Sequence, residues 1–176
     1  NLYGITKFAI EQIVRLICTK YNMNYVNIRL GSLAGDKFDQ RMINRFYYKI
    51  LDGDDIYIDK GAPKVSYLHL EDAASALAKL VESIKKGNKV GNLYNLSNND
   101  WILIRDLAKI SIEKAEAVGI RKDIVAIKET NKDSTYNNVV NSSRFYNEFD
   151  WRPKYSMIEL VNDIFLKKSE YIYQTK

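Results

Sequence analysis

A tyrosine and a lysine stand four residues apart near the start of the chain, in the stretch YGITK. On a helix, Tyr3 and Lys7 lie on the same face, so they present a phenol and an ammonium to a common site. A free phenol ionises only near pH of about 10, and a nearby positive charge stabilises the phenolate. The pair therefore has the residue types and spacing for acid–base chemistry; the alternative is a surface tyrosine beside a surface lysine.

The residues around this pair are spaced for a helix with one buried side. Apolar positions recur every three or four residues, which predicts a helix from about Tyr3 to Tyr21 with one buried stripe that includes Ile5, Phe8, Ile13, Leu16 and Ile17. NYVNIRL then predicts a short strand, and GSLAG predicts a loop bounded by glycines.

The rest of the chain alternates between strand and helix patterns. Three longer helices that each end at a glycine are predicted over QRMINRFYYKILDG, EDAASALAKLVESIKKG and ILIRDLAKISIEKAEAVG. Strands are predicted over DIYID, VSYLHL, NLYNLS and DIVAI, and a loop over residues 128–141. A short helix is expected near Ser143–Phe149, and a closing helix over Ser156–Tyr171 with Ile158, Val161, Ile164 and Phe165 on its inner face. This order predicts an α/β fold with at least partly parallel strands.

Two polar positions in this pattern have structural interpretations. His69 lies on an apolar strand, and a structural role is favoured over a catalytic one because no partner for a catalytic triad is evident from spacing. Glu71 or Asp72 is expected to cap the helix that follows, since acids favour the first turn.

Composition narrows the class of protein. The chain has 176 residues with 46% hydrophobic and 28% charged residues, which fits one globular unit, and it has no apolar run of the length a membrane span requires. One cysteine and one histidine predict neither a disulfide framework nor a metal site, and a reducing cytoplasm fits best. The net charge of +5 is spread among acids, which indicates a solvated surface rather than a nucleic-acid groove.

Taken in order, the segments resemble the C-terminal half of the extended short-chain dehydrogenase/reductase family, in its NAD-dependent epimerase/dehydratase group. YGITK resembles the family's YxxxK, NIRLGSLAG its strand and loop R-x-x-N-x-x-G, and VSYLHLEDAASAL its R-D-F-I-H-V-x-D-V-A. GNLYNLSNND with ILIRDLAKI resembles the next strand and helix, and NSSRFYNEFDWRPKY resembles the closing segment. The resemblance implies the C-terminal portion of a Rossmann-type parallel sheet with a smaller α/β substrate-binding lobe.

The resemblance also implies roles for individual residues. Tyr3 would be the general acid/base, and Lys7 would be its electrostatic partner and an anchor for the nicotinamide ribose, so that both contact NAD or NADP in the intact protein. Leu33 would lie near the nicotinamide, and Ser32 near the substrate. Arg41, at the start of the next helix, is a candidate to meet a phosphate or acidic group of the substrate, and the alternative is a solvated arginine.

Two departures from the family pattern bear on function. The family's glycine-rich phosphate loop precedes YxxxK, so we expect residues 1–176 to form one compact unit that lacks the dinucleotide-binding half and is inactive alone. The family's phosphate-gripping arginine falls on Val65, with Lys64 adjacent, which leaves the small-molecule substrate open between a nucleotide sugar and another carbonyl compound.

Two functions from different classes therefore remain. The first is a fragment of an NAD(P)-dependent epimerase, dehydratase or reductase, and the alternative is a non-catalytic α/β binding or structural module derived from that family. In either case the helix that carries YxxxK could pair two copies into a homodimer.

Overall fold

The structure, a computed structural model, describes residues 1–61, 63–120, 124–134 and 137–174. It contains six helices, namely α1 (Leu2–Lys20), α2 (Met42–Asp52), α3 (Leu70–Lys85), α4 (Ile104–Ala117), α5 (Ser143–Glu148) and α6 (Met157–Gln174), within these ranges. The strands in the same ranges are β1 (Asn27–Leu30), β2 (Leu33–Ala34), β3 (Ile56–Lys60), β4 (Lys64–Val65), β5 (Leu68–His69), β6 (Leu93–Leu96), β7 (Ile102–Leu103) and β8 (Ile127–Asp133).

The strands pair two by two, and most pairs are parallel. β1 pairs with β6, β2 with β5 and β3 with β8 in parallel, whereas β4 and β7 are antiparallel. Each parallel pair is joined by a connection that contains at least one helix, as parallel pairing requires. The predicted α/β class with partly parallel strands is confirmed.

Two hydrophobic cores hold these elements together. The larger lies among α2, α4, α6 and β3, where Tyr47, Leu107 and Phe165 are fully enclosed. The smaller lies among α3, β6 and α5, where Tyr94, Phe145 and Trp151 pack edge to face. The larger core positions one face of α2, and the smaller core positions the strand that pairs with β1.

The residue that caps α3 is neither Glu71 nor Asp72, as the sequence had predicted. The cap is His69, whose Nδ1 accepts the backbone N–H of Glu71 at 3.1 Å, and its Nε2 lies 3.1 Å from the carboxylate of Asp163 on α6. Asp72 is buried and accepts the backbone N–H groups of Lys154 and Tyr155 at 2.9 and 3.0 Å. The acids of this first turn therefore tie α3 to the closing segment instead of capping the helix.

The apolar stripe of α1 is not buried as predicted. Ile5, Phe8, Ile13, Leu16 and Ile17 are all exposed, and Cys18 is the buried residue of this helix. The reason lies in β1, which is an edge strand: among the described strands it pairs with β6 alone. An edge strand offers α1 less surface to pack against than the middle of a wider sheet would.

Three further predictions near the C-terminus were wrong. Among the described residues of DIVAI, Ile127 alone lies in a strand, as the first residue of β8, and Asp123 lies outside the described residues. The segment predicted as a loop, residues 128–141, contains the rest of β8, whose polar sequence is ordered by parallel pairing with β3, while Thr135 and Tyr136 lie outside the described residues. Ile158 is exposed, and Met157 and Leu160 are buried on α6 instead.

We expect Asp72→Ala to lower the free energy of unfolding by about 2–3 kcal/mol, because two backbone N–H groups lose a charged acceptor in a partly buried position. Urea denaturation followed by circular dichroism measures this. Glu82→Ala is the control, since it removes an exposed partner of Lys86 and should change stability by about 0.5 kcal/mol or less. Equal effects of the two substitutions would contradict the role assigned to Asp72.

Candidate functional site

A groove between α1 and β1 contains the tyrosine and the lysine singled out by their spacing. The Asn1 side chain accepts the backbone N–H of Gly4 at 2.8 Å and so starts α1 one residue before the pair. The Lys7 ammonium lies 5.6 Å from the centre of the Tyr3 ring. The groove has a volume of about 520 Å³, and Tyr3, Lys7 and Phe8 line it opposite residues 27–30.

The groove also contains an ion pair that the sequence did not indicate. Arg29 on β1 donates two hydrogen bonds to the carboxylate of Glu11, at 2.8 and 2.6 Å. The hydrogen bond from Arg29 lowers the pKa of Glu11 below its ordinary value. Glu11 follows Tyr3 and Lys7 at the same four-residue spacing, so the sequence indicates that it shares their helix face. The sequence does not indicate that Arg29 on β1 is its partner.

Lys7 has no comparable neutralising partner. Among the described residues, no carboxylate lies within ion-pair distance of its ammonium, because Glu11 is engaged by Arg29. The ammonium is therefore free to act on the Tyr3 phenol or on a ligand in the groove.

The other predicted site residues lie outside the lining of this groove. Ser32 accepts a hydrogen bond at 3.2 Å from the side chain of Asn138, and Leu33 belongs to β2 and packs against the smaller core. Arg41 precedes α2 and lines a separate concavity with residues 37–40. The structure thus brings Tyr3 and Lys7 together and places Ser32, Leu33 and Arg41 outside the lining of their groove.

The turn after β1 depends on a glycine. A Cβ atom added to Gly31 would overlap the hydroxyl oxygen of Ser97. The close passage of Gly31 over the end of β6 directs the chain toward Ser32 and β2. This is the physical role of the first glycine in GSLAG.

A second cavity, of about 300 Å³, lies between α2 and β3 and was not foreseen. One face of α2 supplies Met42, Arg45, Phe46 and Lys49, at the i, i+3, i+4 and i+7 spacing of a single helical face. The opposite wall includes Tyr57, Ile58 and Asp59, and Pro63, Ile104 and Ser134 complete the lining. The spacing of its α2 residues was visible in the sequence, but the opposing wall was not.

Val65 stands where the family has its phosphate-gripping arginine, and its surroundings in the structure are also apolar. Val65 is 2% exposed and belongs to the larger core. Lys64 lies on the other side of β4, where its ammonium sits 3.8 Å from the centre of the Trp101 ring. Neither residue lines the groove or the second cavity.

These features define a class: an α/β chain with parallel strands and a Tyr-x-x-x-Lys helix beside a strand at the sheet edge. The sequence profile of the NAD dependent epimerase/dehydratase family matches residues 1–97, so the chain belongs to that family. A comparison with curated proteins gave no match.

Solved structures of this family share the fold. The UDP-N-acetylglucosamine 4-epimerase from Bacillus cereus is 21% identical over 94% of this chain and 53% of its own, with a TM-score of 0.75. The UDP-glucose 4-epimerase from Thermotoga maritima, solved with UDP-glucose, is 19% identical over 98% of this chain and 53% of its own (TM-score 0.75). The dTDP-glucose 4,6-dehydratase from Bacillus anthracis, solved with NAD, is 19% identical over all of this chain and 55% of its own (TM-score 0.77). This chain spans about half the length of these proteins.

The Arg29–Glu11 pair predicts a titration that can be measured. The Glu11 carboxyl carbon should titrate in NMR below the ordinary value of 4.5, and Arg29→Gln should return its midpoint toward that value because the donor is lost. Since the pKa of Glu11 is lower in the folded chain, the pair stabilises the fold above pH of about 4.5 and this contribution disappears as the pH falls through the lowered value.

Asp39 is the internal control for this titration. A hydrogen bond from Lys168 lowers the pKa of Asp39, and Arg29→Gln should leave its midpoint in place. A Glu11 midpoint that does not move in the variant would show that the ion pair does not form in solution.

Proposed function

We propose that this chain is the proton-transferring and substrate-binding part of an NAD(P)-dependent epimerase, dehydratase or reductase that acts on a nucleotide-activated sugar. The observation that carries the proposal is the placement of the Tyr3 phenol and the Lys7 ammonium, which has no carboxylate in range among the described residues, on one wall of the groove beside β1. The family match and the nucleotide sugars named for the related structures support it.

In this proposal Tyr3 exchanges a proton with a hydroxyl or carbonyl oxygen of the substrate, and Lys7 stabilises the phenolate. A positive charge about 6 Å from a phenolate stabilises it by about 3 kcal/mol at an effective dielectric constant of about 20, but by less than about 1 kcal/mol in bulk water. Tyr3 is 72% exposed in this chain. The groove must therefore be covered for the pair to work, so we propose that residues 1–176 are inactive alone.

The chain's residues fit one end of a nicotinamide cofactor. The Lys7 ammonium, with no carboxylate in range among the described residues, is a suitable donor to ribose hydroxyls, and Tyr3 lies beside it. When bound, the cofactor supplies hydride transfer. The sequence has no glycine-rich turn for the pyrophosphate, so we propose that most of the affinity for NAD or NADP comes from outside these residues.

The remaining site residues take secondary roles in the proposal. Ser32 and Leu33 follow Gly31 at the end of β1, outside the lining of the groove, and in the proposal they contact the substrate and the nicotinamide from there. Arg41 binds an acidic group of the substrate from its own concavity.

A non-catalytic binding or structural module is the second candidate. The observation in its favour is the exposure of Tyr3 on a groove that the described elements leave open. The two candidates differ in catalysis, and the structural form of the module also has no reason to retain affinity for nucleotide sugars.

We also propose that two copies of the chain associate through α1. This helix exposes apolar side chains on more than one side, including Leu2, Ile10, Ile13 and Leu16. Exposed apolar patches of this extent mark interaction surfaces in soluble proteins.

Ligand binding tests the proposed function directly. In NMR titrations of the labelled chain, UDP-glucose or dTDP-glucose should shift amide signals around Tyr3, Lys7 and Ser32, whereas free glucose should not. NADH should bind only at millimolar concentration, because the pyrophosphate has no cradle. The absence of any shift with nucleotide sugars would favour the non-catalytic module, and micromolar NADH binding would contradict the proposed division of the cofactor site.

Light scattering tests the association of two copies. The chain should behave as a dimer at high concentration, and Leu16→Glu should shift it toward monomer because a charge enters the apolar surface of α1. Leu166→Glu on α6 is the matched control, since Leu166 is also exposed but lies on another helix. A monomer at all concentrations would count against the proposed dimer.

A further inference from the structure

The side chain of Asn138 joins two segments that are far apart in the chain. Its NH₂ group donates hydrogen bonds to the hydroxyl oxygen of Ser32 and to the backbone carbonyl oxygen of Ser66, both at 3.2 Å. Its carbonyl oxygen accepts the backbone N–H of Ser66 at 2.7 Å. Ser32 lies between β1 and β2, whereas Asn138 lies between β8 and α5. The segment before α5 is therefore attached to the loop that carries one of the predicted site residues.

The two contacts to Ser66 determine which end of the Asn138 amide faces Ser32. Ser66 is fully buried, and its backbone presents one donor and one acceptor to this amide. A half-turn of the amide would place its oxygen against the Ser66 carbonyl oxygen and its NH₂ group against the Ser66 N–H. Buried polar groups pair with complementary partners, so the hydrogen-bond network assigns the NH₂ group to the side of Ser32.

The contact from Asn138 determines what the Ser32 hydroxyl can still do. A serine hydroxyl has one hydrogen to donate and two lone pairs that accept. The Asn138 N–H occupies one lone pair, so the hydroxyl hydrogen points elsewhere. Within the part of the chain that the structure describes, this hydrogen has no acceptor. The half-buried Ser32 hydroxyl is therefore a fixed donor that lacks a partner.

The backbone around Ser32 is held as well. Gly31 donates its N–H to the carbonyl oxygen of Leu96, and the carbonyl oxygen of Ser32 accepts the N–H of Leu68, each at 2.8 Å. With the backbone held on both sides, the direction of the hydroxyl depends on the side-chain rotamer, which Asn138 selects. Ser32 follows the carboxyl end of β1, and ligands of α/β folds bind beyond the carboxyl ends of parallel strands.

Attachment of the segment before α5 does not by itself explain the contact with Ser32. The neighbouring Asn137 accepts the backbone N–H of Lys64 at 2.7 Å, and the backbone N–H of Asn138 donates to the Lys64 carbonyl oxygen at 3.3 Å. Together with the contacts to Ser66, these bonds already hold the segment against β4. The hydrogen bond to Ser32 adds a constraint on one hydroxyl.

We infer that Asn138 is a positioning residue that sets the Ser32 hydroxyl as a hydrogen-bond donor to an acceptor oxygen of the substrate. A fixed donor favours a ligand oxygen that accepts without donating, such as a carbonyl or phosphoryl oxygen, over an N–H group. The inference rests on the proposed function and deepens it, because it states which hydrogen-bonding role Ser32 plays and which residue imposes that role.

A thermodynamic cycle of NMR titrations of the 176-residue chain with UDP-glucose tests this inference. In the parent, Ser32→Ala should lower the affinity about fivefold, because one hydrogen bond to the ligand is lost. In an Asn138→Asp background the same substitution should have little effect. The carboxylate still accepts the N–H of Ser66, but it also accepts the Ser32 hydroxyl hydrogen and turns it away from the ligand. The added charge is present on both sides of this comparison and cancels.

Asn137→Asp is the matched control. It adds the same charge one residue away and keeps the acceptor for the Lys64 N–H, and Asn137 has no contact with Ser32 among the described residues. In this background Ser32→Ala should keep its fivefold effect. Thermal unfolding checks that each variant is folded. Asn138→Ala repeats the cycle without added charge, and there the effect of Ser32→Ala should shrink to about twofold because the hydroxyl is no longer held.

Three-bond coupling constants across χ1 of Ser32 give a measurement that needs no ligand. They should report one rotamer in the parent and in Asn137→Asp, and an average over rotamers in Asn138→Ala. An averaged rotamer in the parent would contradict the positioning role. Repeating the cycle with UDP locates the acceptor: a coupling that persists with UDP places the acceptor oxygen on the diphosphate, and one seen with UDP-glucose alone places it on the sugar.

The outcomes separate this inference from the proposed function. If Ser32→Ala lowers the affinity equally in the parent and in both Asp backgrounds, Asn138 does not set the hydroxyl, and the inference fails while the substrate class stands. The same holds if Ser32→Ala leaves the affinity of the parent unchanged. If no nucleotide sugar binds to the parent at millimolar concentration, both the inference and the nucleotide-sugar substrate are contradicted.

Discussion

The two cores of this protein are connected by a buried carboxylate. Asp72, in the first turn of α3, holds the backbone of Lys154 and Tyr155 just before α6 begins. His69 reinforces the connection from the preceding strand. Because its Nδ1 accepts the Glu71 N–H, its Nε2 carries the proton and donates to Asp163 on α6. Lys167 completes the network by pairing with Asp163 and Glu71, and the hydrogen bond to Asp163 raises the pKa of Lys167. The larger core, which carries the second cavity, is thereby fixed to the sheet that carries the groove.

The openness of the groove between α1 and β1 depends on a different feature, the exposed edge of β1. In the β1–β6 pair the N–H groups of Asn27 and Gly31 face β6, so the backbone groups of Ile28 and Leu30 point to the free edge. The α1 helix lies beside this edge with most of its apolar residues exposed. The same exposure weakens the effect of Lys7 on the Tyr3 phenol, because water screens the charge. The Tyr3–Lys7 pair therefore lies on an exposed groove in this chain, and under the proposed function it acts only when the groove is covered.

The groove beside β1 and the cavity beside α2 differ in the groups that line them. The groove offers the Tyr3 phenol and the Lys7 ammonium, which under the proposed function suit proton transfer and hydroxyl binding. The cavity beside α2 offers apolar surface, with Arg45 and Lys49 as the cations in its lining.

The sequence by itself determined what depends on neighbours within one or two helical turns. The spacing of Tyr3 and Lys7, the left-handed Gly53 that ends α2 and the apolar faces of α2 and α4 all follow from such local rules. The order of five short motifs added the family, because their combined arrangement is far more specific than YxxxK alone. The burial of helix faces and the pairing of strands were predicted less well.

Tertiary structure alone decided the features that join distant parts of the chain. The polar segment of β8 becomes a strand because β3 supplies its hydrogen-bond partners, from about seventy residues away. Arg29 forms its ion pair with Glu11 only in the folded chain. In the same way, Arg45 faces β3 across a cavity only after folding. The apolar stripe of α1 illustrates the same point. The spacing of its residues identifies an apolar face, but burial of that face requires a second surface. Local spacing fixes which side chains share a face, and only the fold fixes what that face meets.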